Sequence, residues 1–96
     1  MAEPHPSPVR TLSPGHREDV LLRLRRIEGQ VRGIQRMIDE GRDCREIVTQ
    51  VAAIRSALTS VSSQVLQCYA HNCLDDAEVP RDQTIAELIE LFQGCR

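Results

Sequence analysis

Cysteine supplies most of the reactive chemistry in this chain. Cys44, Cys68, Cys73 and Cys95 are spread from its middle to its end, with His71 between the second and the third. Thiolates are nucleophiles and soft metal ligands, so the set points to thiophilic metal or sulfur chemistry. Cys44 and Cys73 lie 29 residues apart, and no Gly or Pro occurs from Arg42 through Val79. That stretch reads as a single helix, which at 1.5 Å per residue holds the two sulfurs roughly 40 Å apart. The two cannot meet within one chain. If they meet at all, a second chain must run antiparallel, so that Cys44 of one protomer faces Cys73 of the other in a site between subunits.

The surroundings of each thiol sharpen this. Cys44 falls in the first turn of its helix between Arg42 and Arg45. Open backbone N–H groups and cations there favour the thiolate; the plainer alternative is a small apolar core residue. At the far end the chain reads Cys68-Tyr69-Ala70-His71-Asn72-Cys73. Cys68 and His71 stand one turn apart and could share a metal, while Cys73 is displaced around the helix. No C-x-x-C pair occurs, so a structural zinc knuckle is poorly supported. Cys95 is expected to be a mobile free thiol, and His5 and His16 to be solvated. Enzyme chemistry finds little to work with. There are no inward Glu-x-x-His repeats for a di-iron bundle, no Gly-rich phosphate loop, and no sign of a cleft for a thiol enzyme.

The elements that must position these groups follow from pattern. Ninety-six residues with one Phe, one Tyr and no Trp make one small domain whose burial rests on Leu, Ile, Val and Ala, which suits helix-on-helix packing. The fold class is therefore all-α. Residues 1–14 hold four of the five prolines, Pro4, Pro6, Pro8 and Pro14, and read as a flexible arm ahead of a helical domain over 15–96. Ser13-Pro14 starts the first helix, with Ser13 as its cap. Its apolar seam is Val20, Leu24, Ile27, Val31, Ile34 and Ile38, and Gly41 ends it. Asp43 caps the second helix, with Glu46 completing a capping box. The seam there runs Cys44, Ile47, Val51, Ile54, Leu58, Val61 and Val65, which puts Cys44 on the buried side. A third helix follows Pro80, uses Ile85, Leu88, Ile89 and Phe92, and stops at Gly94. Two long seams would stay wet in a monomer, so an antiparallel four-helix dimer is expected, paired again as a dimer of dimers. No apolar run fits a signal peptide or a membrane span. A cytoplasmic protein with reduced thiols and no membrane partner is expected.

The net charge of −2 gives no hint of nucleic acid. The first helix differs, since Arg17, Arg23, Arg25, Arg26, Arg32 and Arg36 face only Glu18, Asp19 and Glu28 over residues 15–36. Multiplied by symmetry, this becomes a basic surface, and all the basic residues are Arg, whose guanidinium forks onto phosphate oxygens. The bland alternative is a solvated face held by salt bridges.

Over residues 17–93 the chain resembles the copper-sensitive operon repressor family of bacteria, which also includes nickel/cobalt, formaldehyde and persulfide sensors. The resemblance lies in Leu-Arg-Arg-Ile-Glu-Gly-Gln-Val-Arg-Gly-Ile (Leu24 to Ile34), in Asp-Cys-Arg-Glu-Ile-Val-Thr-Gln-Val-Ala-Ala-Ile-Arg-Ser-Ala-Leu (Asp43 to Leu58), and in the second cysteine 29 residues after Cys44. It implies a three-helix protomer, an antiparallel four-helix dimer and a tetramer that binds operator DNA without a helix-turn-helix. An effector at the intersubunit site would then release the promoter. Copper sensors of the family use Cys, His and Cys, at positions that are Cys44, Tyr69 and Cys73 here. Persulfide sensors keep both thiols and lack that His, and the string Glu40 to Cys44 is similar to theirs. Nickel and cobalt sensors add His ligands, and formaldehyde sensors carry Pro where this chain has Ala2. The resemblance places a DNA-contacting Arg at Arg23 and a second at Ser60, which cannot serve. Arg17, Arg25, Arg26 and Arg32 are candidates from local charge alone. Glu87 matches a carboxylate that links the copper site to quaternary change, and the Tyr that partners it in copper sensors is Asp43 here.

The expected function is a DNA-binding repressor, not an enzyme. It needs no cofactor and is released from its operator when a thiophilic effector engages Cys44 and Cys73. Reactive sulfur is the preferred effector. Cu(I), with Cys68 or His71 as a third donor, is the alternative. The rival from another class is a helical-bundle metal or sulfur carrier that does not bind DNA.

Overall fold

Local signals set the helix boundaries in the computed structural model, which describes residues 9–94. Pro14 occupies the first helical turn of α1 (Pro14–Asp39), where its missing N–H costs nothing. Ser13 precedes it in extended conformation but does not act as the expected side-chain cap. Its hydroxyl is paired with His16 Nδ1 at 2.7 Å, while its carbonyl accepts the Arg17 N–H. The far end of α1 closes as a Schellman turn. Gly41 sits at φ +68°, its N–H donates to the Ile38 carbonyl, and the Arg42 N–H reaches back to that of Met37.

Asp43 caps α2 (Cys44–Leu74), its carboxylate accepting the Arg45 N–H at 2.8 Å. The other half of the expected capping box goes elsewhere, because Glu46 turns its carboxylate to the Arg42 guanidinium. A charged partner one turn away outbids a neutral N–H. Pro80 ends the connection and α3 (Arg81–Gly94) follows.

Both α1 and α3 pack on α2 and not on each other. The result is long and thin, 60 × 29 × 15 Å. Its radius of gyration of 18.0 Å far exceeds the roughly 12.5 Å expected of a compact chain this size. Among the described residues the buried apolar side chains are Val20, Ile27, Cys68 and Cys73. As expected of long seams in a single protomer, much of them stays open, with Val31 41%, Ile38 59% and Leu58 44% exposed. The periodicity is present, but one protomer has too few faces to cover it. Ile85, Ile89 and Phe92 of α3 are likewise exposed. Full burial of each such side chain is worth about 1.5–3 kcal/mol, so the protomer is complete in secondary structure and short of core.

Pro4, Pro6, Pro8, His5 and Cys95 lie outside the described residues. Of the arm, residues 9–13 are described and rest against the end of α2, where Arg10 pairs with Asp76 and the Thr11 carbonyl accepts from Asn72. No helix among the described residues is long and apolar enough to cross a membrane.

Candidate functional site

Helix α2 holds Cys44 in its first turn and Cys73 in its last, and these two ends are built differently. Cys44 is exposed, contrary to its expected place on a buried seam. Of the two flanking arginines, Arg42 is bound to Glu46 at 3.0 Å and lies 3.8 Å from Glu40. These carboxylates, Glu46 first, raise the Arg42 pKa. Its charge is therefore largely answered by acids and only partly available to the thiol.

Cys73 is 3% exposed and lies near polar groups from four parts of the chain. Tyr69, one turn before it, donates its hydroxyl to Glu87 Oε2 of α3 at 2.6 Å, and Gln83 Nε2 donates to the other carboxylate oxygen at 3.3 Å. The bond to Glu87, then burial, then the neighbouring Cys73 push the Tyr69 phenol well above the ordinary tyrosine range. Ahead of α1, Arg10 Nη2 donates to Asp76 Oδ2 at 2.8 Å. Asp76 is in turn held low, first by the Glu78 N–H and then by Arg10. The Arg10 pKa is raised, chiefly by Asp76, with Cys73 adding to the effect.

The remaining sequence candidates fall into place around these. Cys68 is also buried, with Asn72 Nδ2 3.9 Å from its sulfur, whereas His71 is exposed. Among the described residues no three His, Cys, Asp or Glu side chains gather where they could hold a metal ion. Asp43 serves as the helix cap and lies at the far end of α2 from Glu87. Glu87 instead meets Tyr69, the residue at the family's histidine position. Sequence reasoning missed that pair and the Arg10–Asp76 pair, which join residues 18 and 66 positions apart. The advance signal for the first pair was the family resemblance, which singled out Tyr69 and Glu87 separately without joining them.

Arg17, Arg23, Arg25, Arg26 and Arg32 are all exposed on α1. At about 100° per residue, Arg17, Arg25 and Arg32 line one flank of the α1 seam and Arg23 and Arg26 the other. The ion pairs among the described residues use Arg10 and Arg42 and none of these five. Among the described residues the α1 cations thus face solvent without an intramolecular counter-ion.

Known proteins of similar sequence and fold agree on class and differ in effector. Residues 16–94 match the family described as metal-sensitive transcriptional repressor. The chain is 40% identical over 79 residues to the copper-sensing transcriptional repressor CsoR of Bacillus subtilis, covering 80% of this chain and 78% of that one. Among solved structures it is similar to the nickel-responsive transcriptional regulator InrS, with a TM-score of 0.75 at 33% identity, covering 93% of this chain and all of that one. It is similar also to a variant of the formaldehyde-responsive regulator FrmR of Salmonella enterica serovar Typhimurium, with a TM-score of 0.73 at 31% identity over 88% of this chain and 98% of that one. Copper, nickel and formaldehyde on one fold mean that fold alone does not choose the effector.

Proposed function

We propose, for a chain that belongs to the family of metal-sensitive transcriptional repressors, that it holds an operator through α1 and releases it when reactive sulfur links Cys44 to the partner subunit's Cys73. The family is one of repressors, not enzymes. The protomer's open apolar seams support assembly into an antiparallel dimer, and into a tetramer through further exposed faces. That arrangement brings together two thiols which α2 holds at opposite ends.

One observation carries the choice of effector. The residue at the family's metal-binding histidine is Tyr69, and its hydroxyl is committed to Glu87 at 2.6 Å with its proton held firmly. A neutral phenol that donates to a carboxylate is a poor donor to Cu(I), whereas two soft thiols suffice for sulfur chemistry. In the first step the Cys44 thiolate attacks a sulfur of a polysulfide. A new S–S bond forms, the polysulfide S–S bond breaks, and a shortened polysulfide leaves with the electron pair, so that Cys44 becomes a persulfide. The partner subunit's Cys73 thiolate then attacks Cys44 Sγ and closes a disulfide, and hydrosulfide departs with the persulfide proton. Two thiols are oxidised and one sulfane sulfur is reduced to sulfide.

A second reading rests on the 40% identity to a copper-sensing repressor. Here Cu(I) bridges Cys44 and the partner subunit's Cys73, with Cys68 or His71 as third donor. Native mass spectrometry of reduced, anaerobic protein separates the two. One aliquot receives chelator-buffered Cu(I) and another polysulfide. An interchain Cys44–Cys73 link without retained copper supports sulfur sensing, and copper retained by the wild type but lost in Cys44→Ala overturns it. DNA binding is checked on fragments the protein selects from genomic pools. Affinity should fall steeply with added salt as phosphate contacts release counterions, and a carrier would show no such binding.

A further inference from the structure

Residues 9–13 belong to no helix, yet they lie against the end of α2 that holds the two buried thiols, Cys68 and Cys73. Arg10 Nη2 donates to Asp76 Oδ2 at 2.8 Å, in an ion pair whose side chains are 15% and 30% exposed, and Asn72 Nδ2 donates to the Thr11 carbonyl at 3.3 Å. Both anchors stand beside the thiols. The same Asn72 amide lies 3.9 Å from the Cys68 sulfur, and the Asp76 N–H donates to the Cys73 carbonyl at 3.3 Å, so the segment is tied down on either side of Cys73 along the chain.

Apolar packing does little to hold this segment. Val9 is 90% exposed, and a cavity of about 600 Å³, lined by Val9, Thr11, Asn72, Asp75 and Glu78, lies where the segment meets the connection to α3. The closed arrangement also carries a cost, because Arg10 Nε is buried with no hydrogen-bond partner among the described residues. Water would restore that bond on opening. A segment held by a few polar contacts opens at lower free energy than the packed helices beside it.

We propose that residues 9–13 form a strap, latched by Arg10 on Asp76 and by Thr11 on Asn72, that closes over the last turn of α2 and sets how fast Cys68 and Cys73 become accessible. This deepens the proposed function and rests on it for the step that is gated, in which Cys73 closes the link to the partner subunit's Cys44. The exposed thiol takes the effector, and the strap must lift before the enclosed thiol can answer it. The strap runs directly into α1 at Pro14, which puts the gate at the start of the helix proposed to hold the operator.

The test is alkylation of reduced, full-length protein with iodoacetamide, a neutral reagent, followed over time by peptide mass spectrometry. Cys44, exposed at the other end of α2, is the internal reference, and in wild type Cys68 and Cys73 should lag it. Arg10→Gln and Asp76→Asn break the ion pair from opposite sides. Each should raise the Cys68 and Cys73 rates relative to Cys44 by on the order of tenfold, the size expected of losing one charge-assisted hydrogen bond. The double variant should do no more than either single one, since both break the same contact. Wild type in enough urea to match the variants' loss of global stability should keep both rates low, which separates local opening from general loosening. A buried thiol that keeps its wild-type rate in either single variant overturns the proposal, and so does urea-treated wild type that matches the variants. No effector enters this measurement, so its failure leaves the sulfur-sensing reading standing. Polysulfide is added to a parallel set. Faster linking of Cys44 to Cys73 in the two variants supports the gate, and linking at the wild-type rate despite freed thiols overturns it. Freed thiols in proteins that all stay inert to polysulfide keep the strap and remove the sulfur-sensing reading.

Discussion

The two ends of α2 differ in how much of the site each protomer builds alone. Around Cys73 the chain gathers Arg10, Tyr69, Glu87 and Asp76 from the segment before α1, from α2, from α3 and from the connection between them, and buries the thiol. Around Cys44 it provides a helix cap, one surface ion pair with Arg42, and an open thiol. One end is enclosed within the protomer and the other is open. The contrast suggests a division of labour in which the exposed thiol meets the effector first and the enclosed one determines what the encounter becomes.

The severest way to break the contrast is to remove either thiol. Cys44→Ala and Cys73→Ala should each abolish release from DNA by effector, a loss of 100-fold or more in the ratio of operator affinities with and without polysulfide, on the order of 3 kcal/mol of coupling. Operator titrations by fluorescence anisotropy read this directly, and a Cys73→Ala protein that still derepresses would make the enclosed end irrelevant.

Tyr69→His should give the Cys73 end a metal ligand and raise Cu(I) affinity by at least about 100-fold, because a third soft donor completes the set. Competition against a chromophoric Cu(I) chelator measures it. Unchanged affinity would mean that the family's histidine position no longer faces the thiols.

Tyr69 is the only tyrosine and there is no tryptophan, so phenolate absorbance reports this side chain alone. Its folded pKa is raised, so the Glu87 bond contributes stability in full below the unfolded tyrosine value of about 10 and loses it only as pH rises through the folded value. Little phenolate should therefore appear before the protein unfolds in base. Glu87→Gln should bring the titration back toward about 10. An early titration in wild type would dissolve the network at the enclosed end.

The smallest effect belongs to the open end. Asp43→Ala removes a helix cap and should cost about 1 kcal/mol in a denaturant titration, without altering the Tyr69 titration. A coupled change there would show that the two ends are not independent.

Much of the architecture was legible in sequence because its causes are local. Pro14, Gly41, Asp43 and Pro80 each act within a turn of themselves and set both ends of α1 and the starts of α2 and α3, whereas α2 stops at Leu74, short of the Val79 to which its Gly- and Pro-free stretch runs. Ser13 and Glu46 departed from expectation because each had a competing partner, His16 and Arg42, within one turn. The seams were read correctly, including that much of them stays wet in a single protomer, and only the buried place given to Cys44 departed, since periodicity reports which face is apolar and not what covers it. The network at Cys73 was illegible for another reason. Its contacts join Arg10 to Asp76 and Tyr69 to Glu87 across connections whose path only the folded chain fixes.

The 31-residue length of α2 has a consequence for cooperativity. In an antiparallel pair each dimer has two effector sites, one at each end of the helix, separated by roughly 40 Å. That is several times the Debye length of about 8 Å at physiological ionic strength, so charge captured at one site is invisible to the other. If the first effector changes the affinity for the second, the message has to travel mechanically, as a bend, slide or rotation of α2 against α1. A repressor of this shape would therefore respond as a lever with two handles, and the stiffness of the rod between them would set how steeply the promoter opens.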